Sequence, residues 1–211
     1  TGLGKIEFAY YKLAKAAGIE ISESCLYGEN NRFHFLTKRF DRTENGEKLH
    51  MQTFGALAGI DYKIQRASSY ETLFRVMKML QLSYNQFEQQ YRRALFNVIA
   101  RNHDDHVKNF SFLMNKEGKW QISPAYDIIY QYKDGGTWTN VHQSSINGKF
   151  DKFTKEDLLN LGKTFGIKKA SRILEEVIEA VGLWTKIATE IDIPKDDIER
   201  INKNLRIIDF I

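Results

Sequence analysis

The sequence predicts an α+β fold, predominantly α-helical, with small antiparallel β hairpins. Three observations predict it. Apolar residues recur at helical spacing over long stretches of the 211 residues. Two short apolar runs flank turn-forming segments, as in hairpins. Pairs of the type Ser/Thr-x-x-Glu/Gln, whose side chains satisfy orphan amides at a helix start, stand ahead of the helical stretches.

Ile6, Ala9, Leu13 and Ala16/Ala17 define a first helix over about 5–17, closed by Gly18, a residue that tolerates the left-handed end conformation. The period then changes. Ser24-Cys-Leu-Tyr27 and the aromatic run Arg32-Phe-His-Phe-Leu-Thr37 flank Gly28-Glu-Asn-Asn31, which predicts a hairpin. Ser68 with Glu71 and Ser83 with Gln86 predict two capped helices. The first packs Leu73, Val76, Met77 and Leu80, and the second packs Phe87, Tyr91, Leu95, Val98 and Ile99. A second hairpin is expected from 110–114 and 119–122 around Asn115-Lys-Glu-Gly118. Beyond it, Thr154 caps with Asp157, Phe153 can staple to Leu158, and Leu174, Val177, Ile178 and Val181 form the stripe of a longer helix. Pro194 suits a first helical turn, followed by Ile198, Ile201 and Leu205.

A hydrophobic content of 42% and the lack of any disordered tract suit one compact unit. No apolar run approaches the roughly 20 residues needed to cross a bilayer. The lone Cys25 cannot close an internal disulfide, so a cytoplasmic, reducing compartment is expected without a membrane partner. The start, Thr-Gly-Leu-Gly, is neither an initiator Met nor a signal peptide and suggests a piece of a longer protein. The net charge of +4 is compatible with phosphate or nucleic acid ligands, but the cations are interspersed with acids as on an ordinary solvated surface.

Chemistry concentrates in Asn102-His-Asp-Asp-His-Val-Lys-Asn109, a polar loop between a buried helix and a strand. Phosphoryl transfer needs a carboxylate to orient the attacking hydroxyl and oxygen ligands for Mg²⁺. Protein kinases space these as Asp, four residues, Asn, which Asp104 and Asn109 match. Asp105 lies one position too close, although spacing alone leaves it open as the base. Asp127 follows the second hairpin in the order expected of the metal aspartate. A rival reading takes His103, Asp104 and His106 as transition-metal ligands of a phosphohydrolase. The bland reading is a hydrogen-bonded turn.

Arg101-Asn-His-Asp-Asp-His-Val-Lys-Asn109, Trp120-Gln-Ile-Ser-Pro-Ala-Tyr-Asp127 and Lys38-Arg-Phe-Asp-Arg42 resemble the C-terminal domain of HipA-like serine/threonine kinases, toxins of bacterial toxin–antitoxin pairs. Met51-Gln-Thr-Phe54 and His142-Gln-Ser-Ser-Ile-Asn-Gly148 extend the likeness over roughly 7–150. The resemblance implies a kinase-like C-lobe, with about 1–50 as hinge and N-lobe remnant and about 51–211 as the helical catalytic lobe. It implies ATP and Mg²⁺ as cofactors, Asp104 as catalytic residue and Asn109 and Asp127 as metal ligands. His106 and Lys108 would face phosphate, and Tyr126 would line the nucleotide site. Lys38, Arg39 and Phe40 would form the hinge that meets adenine; alone, they read as the end of an amphipathic strand. Glu7 resembles the helix glutamate that pairs with the phosphate-binding lysine; alone, it is a first-turn acid favouring the helix dipole. That lysine and the Gly-rich loop lie upstream in the family, and nothing like them precedes Glu7, so the chain is expected to hold the catalytic half. Asn102 stands where ordinary kinases carry histidine, and Asp127 is followed by Ile-Ile, which implies no ordinary activation segment.

The implied partners are a protein substrate, an aminoacyl-tRNA synthetase for some members, and a helix-turn-helix antitoxin, with DNA reached through the antitoxin complex. The contrasting class is a non-catalytic module that binds antitoxin or DNA through Lys149, Lys152 and other cations.

Overall fold

A computed structural model describes residues 2–30 and 32–211; Thr1 and Asn31, the latter in the expected turn over 28–31, lie outside the described residues. Helix α1 (Leu3–Ala16) buries Ile6, Ala9, Tyr10 and Leu13, while Ala16 is exposed. It ends as expected: Gly18 has φ +71°, its amide donates to the Lys15 carbonyl, and the Ile19 amide reaches back to Ala14.

Strands β1 (Ser24–Glu29) and β2 (Arg32–Thr37) pair antiparallel with Leu26 opposite Phe35. Gly28 and Glu29, expected in the turn, belong to the ladder instead, opposite Phe33 and Arg32, and Asn30 takes a left-handed φ of 49°. The hairpin rests on α1, where Tyr11 meets Phe35 at 6.3 Å and the Lys5 ammonium lies 4.5 Å above the Phe33 ring. Gly4 makes that approach possible, because a Cβ there would stand 2.4 Å from the Phe33 carbonyl oxygen.

A strand not expected from the sequence, β3 (His50–Thr53), leads into the short helix α2 (Phe54–Ala58). The two residues of β4 (Ser68–Ser69) precede α3 (Tyr70–Met79), and α4 (Tyr84–Ile99) follows. The cap of α3 is displaced by one from the expected position. Ser69, not Ser68, accepts the Thr72 amide at 3.0 Å, because the Ser68 hydroxyl is bonded to that of Ser144 at 2.8 Å. The Ser83–Gln86 capping box does not form either: the Gln86 side-chain oxygen is taken by the Ile122 amide at 2.6 Å, which ties α4 to the second hairpin.

That hairpin, β5 (Ser111–Met114) and β6 (Trp120–Ile122), becomes a three-stranded sheet in the order β3-β5-β6. β7 (Ser144–Ser145) pairs with β4. Helix α5 (Lys155–Thr164) carries the full Thr154–Asp157 capping box. Helices α6 (Ala170–Gly182), α7 (Trp184–Glu190) and α8 (Lys195–Asn204) complete the chain before a 3₁₀ turn at Ile208–Phe210. Pro194 is the N-cap of α8, one position ahead of the expected first turn. Leu174, Val177 and Val181 are buried, and Ile178 packs partly buried beside them.

One hydrophobic cluster runs from Ile6 to Phe210. At its centre Tyr10 packs 5.7 Å from the fully buried Trp184 and donates its hydroxyl to the Ala100 carbonyl at 2.7 Å. The end of α4, from which the 101–109 loop departs, is thereby fixed against α1.

Candidate active site

Backbone bonds hold the 101–109 loop from both sides. The amides of Phe54 and Gly55, at the start of α2, donate to the carbonyls of Phe110 (2.8 Å) and Val107 (3.0 Å). These amides have no partner within the helix, so the loop satisfies them and is positioned by them. Gly55 admits Val107 closely: a Cβ there would meet the Val107 side chain at 2.8 Å and the Ile60 carbonyl at 3.0 Å. On the other side His103 donates to the Gln131 carbonyl and Gln131 to that of Arg101, so 101–103 runs beside the segment following Asp127.

Asp104 and Asp105 have different environments. The Asp105 carboxylate, 1% exposed, accepts from the Tyr70 hydroxyl (2.9 Å), His142 Nδ1 (2.9 Å), and the backbone amides of Gln143 (2.7 Å) and Ser144 (3.3 Å). Behind it Asn97 donates to Tyr70, and Asn102 donates to Asn97. Asp104 is only partly buried, and its carboxylate lies 3.6 Å from His106 Nε2. Burial raises its pKa most; the charges of Asp127 and Asp105 raise it further, while His106 opposes them.

Asn109 donates its side-chain amide to the Asp104 carbonyl at 2.8 Å, which orients the loop and leaves its Oδ1 without a donor among the described residues. Asn109 and Asp127 line the same cleft, with Tyr126 beside them and Arg93, Asn97 and Asn102 on its floor. Asp127 is exposed and has a left-handed φ of 55°. An amide oxygen and a carboxylate are the hard donors that suit Mg²⁺, which retains several waters. Two buried atoms of the floor, Asn102 Oδ1 and Arg93 Nε, also lack partners. Asn109 Oδ1, the Asp127 carboxylate and the unsatisfied Asn102 Oδ1 are acceptors that fit a hydrated divalent cation, whereas the Arg93 Nε–H, a donor, suits an anionic oxygen or water instead. Burial brings the Arg93 guanidinium down to about 10, against the pull of Glu20 and Tyr126.

The other expected residues divide into two groups. Glu7, on α1, faces the cleft closely enough that Asp127, after burial, raises its pKa, and it has no basic partner among the described residues. The Phe40 ring lies 5.3 Å from Tyr126, whose hydroxyl bonds to Ser111 and the Lys108 carbonyl, each at 2.5 Å. Neither the amide nor the carbonyl of Phe40 has a partner among the described residues, so both are free for a ligand. Lys38 and Arg39, in contrast, direct their cations to Glu44 (2.9 Å) and Asp41 (2.6 Å). The Lys108 ammonium lies 3.9 Å over the Tyr62 ring.

His103 does not join Asp104 and His106 in a cluster. Its fully buried ring lies 4.1 Å from that of His142, tilted by 35°, and burial followed by the charges of His142 and Arg101 drives its pKa far down. Among the described residues no group of three or more His, Cys, Asp or Glu side chains gathers as a metal site. The supporting roles of Tyr70, Asn97, His142 and Ser144 were missed in the sequence, where His142 and Ser144 stood only as part of the run that carries the resemblance. A signal existed in Gln90, Arg93 and Asn97, polar residues at helical spacing on the buried face of α4.

The family model of the HipA-like C-terminal domain matches residues 1–184. The chain belongs to that family. This HipA-like domain is 22% identical, over 97% of its length and 68% of the relative's, to a Haemophilus influenzae protein whose name is "Putative kinase". Its fold is similar to that of HipA from Shewanella oneidensis MR-1, solved with HipB and operator DNA, at a TM-score of 0.75 and 19% identity, covering 95% of this chain and 53% of that one. The domain thus spans about half the length of that HipA. A Helicobacter pylori proinflammatory kinase, CtkA, is similar at a TM-score of 0.58 and 13% identity, covering all of this chain and 86% of that one. The fold is therefore kinase-like, mixed α and β with small antiparallel sheets.

Proposed function

We propose that the domain is the catalytic half of an ATP- and Mg²⁺-dependent serine/threonine protein kinase of a toxin–antitoxin system. The observation that carries the reading is the division of labour in one loop: Asp105 is saturated by buried donors, while Asp104 is partly open, bonded through its carbonyl to Asn109 and near enough to Asp127 to feel its charge. In the transfer, the bond from the γ-phosphorus to the β,γ-bridging oxygen breaks and a bond to the acceptor hydroxyl oxygen forms. The hydroxyl proton passes to the Asp104 carboxylate, and ADP leaves.

Asp104 acts mainly by position, orienting the hydroxyl, and Asn109 fixes that position through the Asp104 carbonyl. Asn109 Oδ1 and Asp127 would hold Mg²⁺, which when bound screens the phosphate charge. The free backbone of Phe40 and its contact with Tyr126 suit the hinge role, and the unpaired Glu7 suits a lysine partner. The paired cations of Lys38 and Arg39 leave those residues a backbone role. For Lys108 to face phosphate it must leave the Tyr62 ring. The complex of the Shewanella neighbour with HipB and operator DNA supports an antitoxin as partner, with DNA reached through it.

The test is radiolabelled phosphate incorporation from ATP by the natural full-length protein. Incorporation that requires Mg²⁺ and vanishes in Asp127→Ala is expected; equal incorporation by both proteins would remove Asp127 from the metal site.

A further inference from the structure

We infer that the pocket opening on Asp104 and His106 receives an extended protein segment bearing the acceptor serine or threonine. A large apolar side chain next to the hydroxyl sits between Tyr62 and Trp138, and an acidic residue of the segment faces Lys63. The inference rests on the kinase reading above and adds the acceptor's chemistry to it.

The pocket has a volume of about 350 Å³ and shares no residue with the cleft of Asn109 and Asp127. It therefore offers a second approach to the loop that carries the proton-accepting carboxylate. A base must lie about 2.6–3.2 Å from the hydroxyl it serves, so a segment presenting that hydroxyl from this pocket brings its neighbouring residue against the pocket walls. Those walls are aromatic and open to solvent: Tyr62 is 44% and Trp138 49% exposed. Such rings are enriched where protein surfaces meet partners.

Both walls are held to the catalytic loop rather than hanging free. The Tyr62 ring lies 6.3 Å from the ring of His106 in that loop. On the other side the Gln143 side-chain amide donates to the Trp138 carbonyl, and the Gln143 backbone amide donates to Asp105 at 2.7 Å. The buried carboxylate next in sequence to Asp104 thus also anchors the Trp138 wall. A site assembled before binding loses less entropy on association. Charge supplies the remaining selection. Lys63 lines the pocket, its backbone amide is bonded to Asp61 at 2.9 Å, and its ammonium has no acidic partner among the described residues.

The experiment presents the natural full-length protein with radiolabelled ATP and a positional-scanning library of serine- and threonine-centred peptides. The expected selection is for an aromatic or large aliphatic residue beside the acceptor and for Asp or Glu at one further position. Trp138→Ala should raise the KM of the selected peptide by about tenfold or more, with the KM for ATP within about twofold of wild type. Lys63→Glu should reverse the acidic preference to a basic one, a change that general loosening of the fold would not produce. Binding of the selected peptide to the Asp104→Asn protein, followed by fluorescence anisotropy, should weaken on adding Trp138→Ala. Peptide phosphorylation with unchanged peptide KM in Trp138→Ala and unchanged preference in Lys63→Glu would overturn the pocket and leave the kinase reading standing. Faster phosphorylation of small alcohols than of any peptide would also overturn it. No incorporation into any acceptor would remove the kinase reading, and the acceptor pocket with it.

Discussion

The Asp105 carboxylate accepts hydrogen bonds from Tyr70, His142, Gln143 and Ser144, so its removal leaves several buried donors without an acceptor. Asp105→Ala should cost about 3 kcal/mol or more, since unsatisfied buried groups carry their full desolvation penalty. Asp104→Ala, at a partly open carboxylate raised by burial and by its acidic neighbours, should change stability by less than about 1 kcal/mol. Urea melts of the two variants check this contrast; equal losses would mean that Asp105 is not the structural member of the pair. At Tyr126 the hydroxyl links Ser111 to the Lys108 carbonyl. Tyr126→Phe should therefore lower stability by about 1–2 kcal/mol in the same melts while keeping the ring contact with Phe40.

At the scale of elements, α2 owes its importance to its first two amides, which grip the carbonyls of Val107 and Phe110. Gly55→Ala places a methyl group against Val107 and the Ile60 backbone, so the loop must shift. The expected result is a loss of about 1–3 kcal/mol with faster amide exchange concentrated at 104–109. An unchanged exchange pattern would mean that α2 does not hold the loop. Helix α5 adds a pH-dependent contribution. Burial alone would raise the Asp157 pKa, but bonds from Lys149, the Thr154 amide and hydroxyl, and Asn147 bring it below the ordinary range. A depressed folded pKa stabilises above the unfolded value of about 3.9, and that stabilisation is lost as pH falls through the folded value. The melting difference between wild type and Asp157→Asn should be constant above about pH 5 and shrink below about pH 4. A difference that grows with acid would contradict the assignment. The Thr154–Asp157 box was legible because all its bonds are local. Strand β3 was not, because its partner β5 lies about sixty positions away and its four residues carry no period of their own. The Ser68 cap was misread for the same reason: its hydroxyl is claimed by Ser144, 76 positions on.

Across the whole molecule, the spacing of Asp104 to Asn109 and the place of Asp127 after the second hairpin pointed from sequence to three residues, of which Asn109 and Asp127 line one cleft. What holds them there was not legible. The supporting bonds of Asp105 run to Tyr70, His142 and Gln143, each more than thirty positions distant, and only the packing of α3, the loop and the 142–145 segment brings them together. Tyr62 and Trp138 were silent for the same reason, since two exposed aromatics in separate loops have no shared pattern in the chain. The Asp104–Asp105 choice, open from spacing, acquires a physical basis only when one carboxylate is found saturated and the other free. That choice carries the functional account, and single-turnover phosphate transfer by full-length Asp104→Asn tests it most directly. Transfer should fall by about a hundredfold or more while Mg²⁺-ATP affinity stays within about twofold of wild type. Transfer at the wild-type rate in Asp104→Asn would contradict it.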